Sequence, residues 1–265
     1  TLRAMPVRAA LQAHVSHILL YRETFAAGHE VHERVLPDGA VRLVFNLGNA
    51  PSAGDGAGLP VEAIGAAAAP VVVRMRDTVE GISVTLRPGA AAGPLGLPAG
   101  EIAGRAIHLD ELWQGGAAEL RARMAEAPDD AVRATLLQSA LECRLRDGGS
   151  AVHAAATRAA RLIAESGGRK PLRDVAAAVG VGERRLQQLF HAHVGLSPRA
   201  WARLARLHDC LRALRLQSAP AWADVAVESG FYDQSHLVNE FRALCGVTPT
   251  EFMGHAISGS SKTPG

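Results

Sequence analysis

The chain has 265 residues, of which 48% are apolar and 4% aromatic, with a formal net charge of +2. That length suits about two domains of roughly 100–200 residues each, and so small a net charge excludes a polycation that holds nucleic acid by bulk charge alone. Three cysteines, Cys143, Cys210 and Cys245, lie far apart with no CxxC pair, so neither a zinc knuckle nor a disulfide framework is suggested, and buried free thiols in a reducing compartment are expected.

The first hundred residues are rich in glycine and proline and carry short β-type runs. Strands are predicted at Ile18–Glu23, Val31–Leu36, Val41–Asn46, Val71–Met75 and Ile82–Leu86. The run VRLVF at Val41–Phe45 alternates only loosely, as expected of a strand buried on both faces. Pro37-Asp38-Gly39 is a turn by mechanism: proline presets φ, aspartate bonds back to the backbone, and glycine takes positive φ. Standing between two predicted strands, it predicts a hairpin. Asn49 to Pro60 reads as a mobile loop, and Pro94 to Gly100 as another. His29 and His32, with Glu30 and Glu33, could suggest a metal site. On a strand those two histidines fall on opposite faces, so no metal site is assigned. Arg87, beside Pro88-Gly89, reads as a brace for that turn. No Ser-His-Asp set, phosphate loop or paired-carboxylate motif can be assembled, so no catalytic residue and no cofactor are assigned.

Helical periodicity takes over near Leu109. Helices are predicted at Ala117–Ala127, Asp130–Arg146 and Ala151–Ser166, with Asp147-Gly148-Gly149-Ser150 as a flexible linker between the last two. Gly167-Gly168 closes the third helix. The stretch from Gly254 onward is small and polar, and is expected to be disordered. No charge-free apolar stretch reaches membrane-spanning length, so a cytoplasmic protein without membrane contact is expected.

The last hundred residues contain a repeat. VAAAVGVGERRLQQLFHAHVGLSP (Val175–Pro198) is matched by VAVESGFYDQSHLVNEFRALCGVTP (Val225–Pro249), with one residue added in the turn. Each copy is a short apolar helix, a glycine turn and a second helix with one apolar and one polar stripe, the sequence form of a helix-turn-helix. In the first copy Leu186, Leu189 and Phe190 face inward. Arg184, Gln187, Gln188 and His191 share the opposite face, and arginine and glutamine can bridge base edges. In the second copy Leu237, Phe241 and Leu244 face inward, and Gln234, Ser235, Val238, Asn239 and Arg242 share the other side. Basic residues thicken from Arg169 to Arg215, opposed only by Asp174, Glu183 and Asp209. A helix from Pro198 to about Leu216 joins the copies. At ~1.5 Å per residue it is about 27 Å long, comparable with the ~34 Å between successive major-groove segments. Of its arginines, Arg206 is expected to serve the structure.

The segment from about Ala151 to Phe252 resembles the AraC/XylS-type transcription regulators. The resemblance rests on LRDVAAAVGVGERRLQQLF, GLSPRAWARLARLHDCLRAL and VAVESGFYDQSHLVNEFRALCGVTPTEF. It implies two helix-turn-helix subdomains on a linker helix, reading adjacent major grooves of double-stranded DNA. Carried over by position, it offers Arg184, Gln187 and Gln188 with Arg185 and His191 nearby, then Gln234, Ser235, His236 and Asn239, with Arg242 on the backbone. Two departures stand out: Gly182 replaces the usual Ser or Thr cap, and Asn239 stands where the family often has arginine. The pattern VLPDGAVRLVFNLG, VTLRPGAAAGPLGLPAGEI and LDELW is similar to an uncharacterised sensor-type domain found ahead of such modules.

The expected fold is therefore α+β. A β-barrel or cupin-like sensor or oligomerisation domain spans residues 1–115, and a helical linker or dimerisation segment 116–150. An all-α double helix-turn-helix domain follows at 151–254, with a tail at 255–265. The expected function is sequence-specific transcription regulation without enzymatic activity. A homodimer, RNA polymerase and a small-molecule effector of unassigned site are the further partners considered. The competing reading is a cupin-type metal-dependent enzyme carrying a DNA-binding appendage.

Overall fold

A computed structural model describes residues 1–54, 56–147, 152–214 and 220–258. The expected linker glycines 148–149, the end of the long helix at 215–216 and the last part of the tail lie outside these residues.

The N-terminal part is built on two antiparallel sheets. The strands are β1 (Leu2–Met5), β2 (Val15–Thr24), β3 (Glu30–Val35), β4 (Arg42–Asn46), β5 (Ser52–Ala53), β6 (Val61–Ile64), β7 (Val71–Arg76), β8 (Thr78–Leu86) and β9 (Ala106–His108). The larger sheet has the order β1-β2-β8-β4-β6-β9, and the smaller β3-β7-β5. The larger sheet ends in two open edges, β1 and β9, so this cupin-like arrangement is not a closed barrel.

Strand β4 lies in the middle of the larger sheet, paired with β8 and β6. Its period-2 alternation sends Leu43 and Phe45 to one face, with Ile18, Ile82, Val84, Val61 and Ala63 beside them in one apolar cluster. Its other face, carrying Val44 and Asn46, is buried too, as the loose alternation of VRLVF predicts. That second face is polar: the Tyr21 hydroxyl donates to Asn46 Oδ1 at 2.6 Å, and Asn46 Nδ2 donates to the Leu59 carbonyl at 2.7 Å. Burial pushes the carboxyl pKa of Glu62 up to about 7, against the hydrogen bond from Asn46.

The hairpin expected at Pro37-Asp38-Gly39 does not form. Both edges of β4 are already taken by β6 and β8, and β3 pairs with β7 in the other sheet. The turn is instead a corner between the sheets. Its chemistry is as expected: the Ala40 amide donates to Asp38 Oδ1 at 3.0 Å, Arg42 pairs with Asp38, and Gly39 has φ 72°.

Helices α1 (Ala92–Leu95), α2 (Asp110–Trp113), α3 (Gly116–Ala125) and α4 (Asp130–Asp147) cover the apolar face of the larger sheet. Trp113 tilts against Phe45 with centroids 6.0 Å apart and donates its indole N–H to the Pro94 carbonyl at 2.9 Å. The apolar stripes of α3 and α4, including Leu120, Met124, Leu137 and Leu141, are spent in this core. Arg87 Nε donates to the Gln12 carbonyl at 2.7 Å, so it ties down the segment ahead of β2 rather than the Pro88-Gly89 turn it was expected to brace. Cys143 is exposed, a correction to the expected burial, whereas Cys210 and Cys245 are buried free thiols.

The C-terminal part is all helix: α5 (Ala154–Glu165), α6 (Leu172–Ala178), α7 (Glu183–Val194), α8 (Pro198–Leu214), α9 (Trp222–Glu228), α10 (Gln234–Cys245) and α11 (Pro249–Ser258). Thr248 and Glu251 form a capping box ahead of α11: the Thr248 amide donates to Glu251 Oε2 at 2.7 Å and the Glu251 amide to Thr248 Oγ1 at 3.2 Å. That helix continues past Gly254, so the start of the expected tail is helical.

The two parts meet over a close interface. A Cβ on Gly39 would stand 2.8 Å from Trp201 and 2.9 Å from Leu204 of α8. Pro37 O lies 3.0 Å from His208 Nε2, and Thr157 Oγ1 donates to the Pro88 carbonyl at 2.8 Å. A 3-10 turn at Ala99–Ile102 packs on α7, where a Cβ at Gly100 would be 2.6 Å from the His191 carbonyl oxygen.

Candidate nucleic-acid interface

The first unit is α6, a turn and α7. Val175, Ala176, Leu186, Phe190 and Val194 bury against Ile163 of α5 and Ala202 of α8. Gly180 makes the turn with φ 73° and has open space around it. Gly182 caps α7 without any side-chain bond, as the sequence leads one to expect. The opposite face of α7 is solvent: Arg184, Arg185, Gln187, Gln188 and His191 are all exposed. Arg185 lies 3.4 Å from Gln188 Oε1, a loose contact that leaves both able to turn outward.

The second unit repeats this. Val225, Ala226, Leu237, Phe241 and Leu244 bury with Leu207 and Leu211 of α8. Asp233 caps α10 by accepting from the His236 amide at 2.7 Å. Gln234, Ser235, His236, Asn239 and Arg242 are exposed, and Val238 is half-buried. His236 has structural employment as well. Its ring meets Phe231 edge-on at 5.6 Å, and its Nδ1 accepts from the Tyr232 amide at 3.2 Å.

Helix α8 ties the units together. Ser197 Oγ accepts from the Ala200 amide at 3.1 Å to cap it, and Trp201 Nε1 donates to the Ala160 carbonyl at 3.0 Å. Much of the local basic excess is used inside the protein. Arg203 Nε donates to Glu240 on α10 at 2.6 Å, and Arg206 Nη1 to the Gly168 carbonyl at 2.9 Å. Burial lowers the pKa of Arg206, the structural residue anticipated. Arg169 reaches Asp209 at 2.8 Å and the Glu228 carbonyl at 3.1 Å, linking the entry of the first unit to the turn of the second. Arg212 also pairs with Asp209, at 2.9 Å. Arg184, Arg185, Arg199 and Lys170 keep exposed side chains. Net positive charge thus sits around the first reading face more than the second.

His153 and His193 stack with centroids 4.0 Å apart, joining the start of α5 to the end of α7. Burial, then His153 and Arg185, lower the pKa of His193. Sequence reasoning passed over Tyr232, which is 88% exposed just ahead of the α10 cap. Its signal was legible: Phe231 already fills the core position of that turn, so the next aromatic has nowhere to go but outward. Among the described residues, no group of three His, Cys, Asp or Glu side chains is placed to hold a metal.

Two family models match. One, described as a helix-turn-helix domain, covers residues 175–255, and the other, described as a domain of unknown function, covers residues 3–108. Over 78 residues the chain is 41% identical to the transcriptional activator NphR of a Rhodococcus species, spanning 29% of this chain and 23% of that one. Over 79 residues it is 34% identical to the HTH-type transcriptional regulator ExsA of Pseudomonas aeruginosa, spanning 30% of this chain and 28% of that one. The match thus spans about a quarter of the length of each of these curated relatives. Among solved structures, ToxT from Vibrio cholerae O395 superposes with a TM-score of 0.48 at 10% identity, covering 92% of this chain and 98% of that one.

Proposed function

We propose, from a C-terminal segment that belongs to the AraC-type helix-turn-helix family, that this protein is a sequence-specific DNA-binding transcription regulator. The observation that carries the proposal is the duplicated unit: two helices, each with a buried apolar back and an exposed polar front, mounted on one helix α8. Such a helix is the element that enters a major groove. Arg184, Gln187 and Gln188 supply the base-reading chemistry of the first head, with Arg185 and His191 beside them. Gln234, Ser235 and Asn239 supply that of the second, while Arg242 meets phosphate and His236 holds the turn.

The second head reads more weakly. It carries fewer free cations and has Asn239 in place of a longer arginine, so phosphate positioning dominates there. The N-terminal part acts as the sensor, and its close packing on α7, α8 and α10 gives it the means to change the placement of both heads. Action as a cytoplasmic homodimer with RNA polymerase as a partner belongs to the same proposal and draws its support from the family. The protein itself performs no chemistry in this reading.

The test is selection of duplexes from a random library by the full chain, followed by titration of the selected site at several salt concentrations. A recovered consensus with a marked loss of affinity as salt rises is expected. Equal affinity for selected and scrambled duplexes would refute the proposal.

A further inference from the structure

The small sheet carries a cavity of about 430 Å³, lined by Glu30, Asn49, Ser52, Arg74 and Arg76 and by the glycine-rich chain at Gly56–Gly58. Its volume lies within the range of small-molecule sites, roughly 300–1,000 Å³. The strand register builds it. Arg74 stands on the central strand β7 between His32 of β3 and Ser52 of β5, and Arg76 stands opposite Glu30. Arg74 and Arg76 are two residues apart on one strand, so they share a face.

The wall is fixed rather than loose. Asn49 is held by its amide on the Thr78 carbonyl at 2.8 Å and by its Nδ2 on Asp77 at 3.1 Å. A Cβ on Gly58 would stand 2.4 Å from both the Ala50 and Pro51 carbonyl oxygens, so the chain folds back on itself there and only glycine fits.

Two guanidinium groups, those of Arg74 and Arg76, line this space. Among the described residues, neither guanidinium makes a hydrogen bond or an ion pair, and the Nε of Arg74 is shut off from solvent. A buried donor without an acceptor is costly, and such groups in folded proteins are ordinarily satisfied. Glu30 does not satisfy them: its carboxylate lies 3.3 Å from His32 Nε2. Paired planar guanidinium groups suit the bidentate oxygens of a carboxylate or phosphate. Glu30, Ser52 and Asn49 add acceptors and donors for hydroxyl groups.

We propose that this cavity binds a small organic acid, its carboxylate or phosphate held by Arg74 and Arg76 and its hydroxyl groups by Glu30, Ser52 and Asn49. The site deepens the regulator reading, on which its purpose rests but its chemistry does not. The sheet that carries it also touches the helical half. Arg34, two residues beyond His32 on the same face of β3, donates to the Cys245 carbonyl at the end of α10 at 3.3 Å.

The experiment is calorimetric titration of the full chain with citrate, glucose 6-phosphate and inorganic phosphate, with glucose as the uncharged control. Saturable binding of citrate or glucose 6-phosphate, one per chain and tighter than inorganic phosphate, is expected. Arg74→Gln and Arg76→Gln should each weaken it at least tenfold. Arg76 lies at the exposed end of its strand, so its variant keeps the test open if the Arg74 variant folds poorly. Arg74→Met should raise the melting temperature of the ligand-free protein while abolishing binding, a combination that a purely structural arginine would not give. Absence of saturable binding with all three anions, or binding untouched by both glutamine variants, overturns the proposal. Binding of inorganic phosphate alone overturns the organic-acid assignment. Duplex affinity measured on the same preparations separates the two readings: anion binding without any DNA preference leaves the site standing and removes the regulator.

Discussion

Gly195 and Gly246 occupy corresponding places in the two repeats, and both lie against the N-terminal part of the chain. Each closes its reading helix in the left-handed conformation, with φ of 85° and 72°. A Cβ on Gly195 would stand 3.1 Å from the Ala66 Cβ and 3.2 Å from the Ala99 carbonyl oxygen. One on Gly246 would stand 3.3 Å from Arg34 and 3.5 Å from Pro70. The two heads therefore rest their C-terminal ends on the same body, which sets how they lie relative to one another.

Alanine at either glycine pays the left-handed penalty of roughly 1–2 kcal/mol. Gly195→Ala should cost more than Gly246→Ala, since its methyl meets backbone and Ala66 rather than the flexible end of an arginine. Urea denaturation of the two variants checks the order.

Arg184 and Arg203 should separate by their salt behaviour. Arg184→Ala should lower specific affinity by about 1–3 kcal/mol and relax preference at one base position. Arg203 is engaged with Glu240, so Arg203→Ala should leave the salt slope of DNA binding unchanged and destabilise the fold instead. A double-mutant cycle with Glu240→Ala should give a coupling of about 0.5–1 kcal/mol, modest because both side chains are partly exposed.

The two reading helices are unequally capped, and chemical denaturation should reveal it. Asp233→Ala removes the bond to the His236 amide and should cost about 1 kcal/mol. Gly182→Ser supplies the cap that α7 lacks and should gain a few tenths of a kcal/mol.

Glu62 gives the N-terminal part a pH dependence of definite sign. Its folded pKa, about 7, lies above the unfolded carboxylate value, so the folded state holds the proton more tightly. Stability should fall as pH rises from the ordinary glutamate range to about 7 and stay lower beyond it. Glu62→Gln should remove that slope and stabilise the protein at pH 8 by roughly 3 kcal/mol, with little effect at pH 4. Thermal melts across that range test it.

The C-terminal half was legible because its signals are local. Helical period, Gly180, Gly195, Gly230 and Gly246, the Asp233 cap and Pro198 all act within a few residues, and the duplication repeats them. The exposed faces of α7 and α10 follow directly from that period. In the N-terminal half the five strongest strands could be read, whereas β1, β5, β6 and β9 could not. These four are short, and their pairing is set by partners far along the chain, as when Val61 finds Phe45. The false hairpin at Pro37-Asp38-Gly39 has the same origin: turn chemistry is local, but the choice of partner for β3 is not. The fate of the arginines was equally hidden. Arg169, Arg203 and Arg212 look like phosphate ligands in one dimension and are ion-paired in three.

The most direct measurement is a hydroxyl-radical and methylation-interference footprint of the full chain on a selected duplex. The account predicts two contacted major-groove segments on one face, centred about 10 base pairs apart. Arg184→Ala should weaken contact in one segment and Asn239→Ala in the other. A single contacted segment, or a footprint that neither substitution changes, would contradict it.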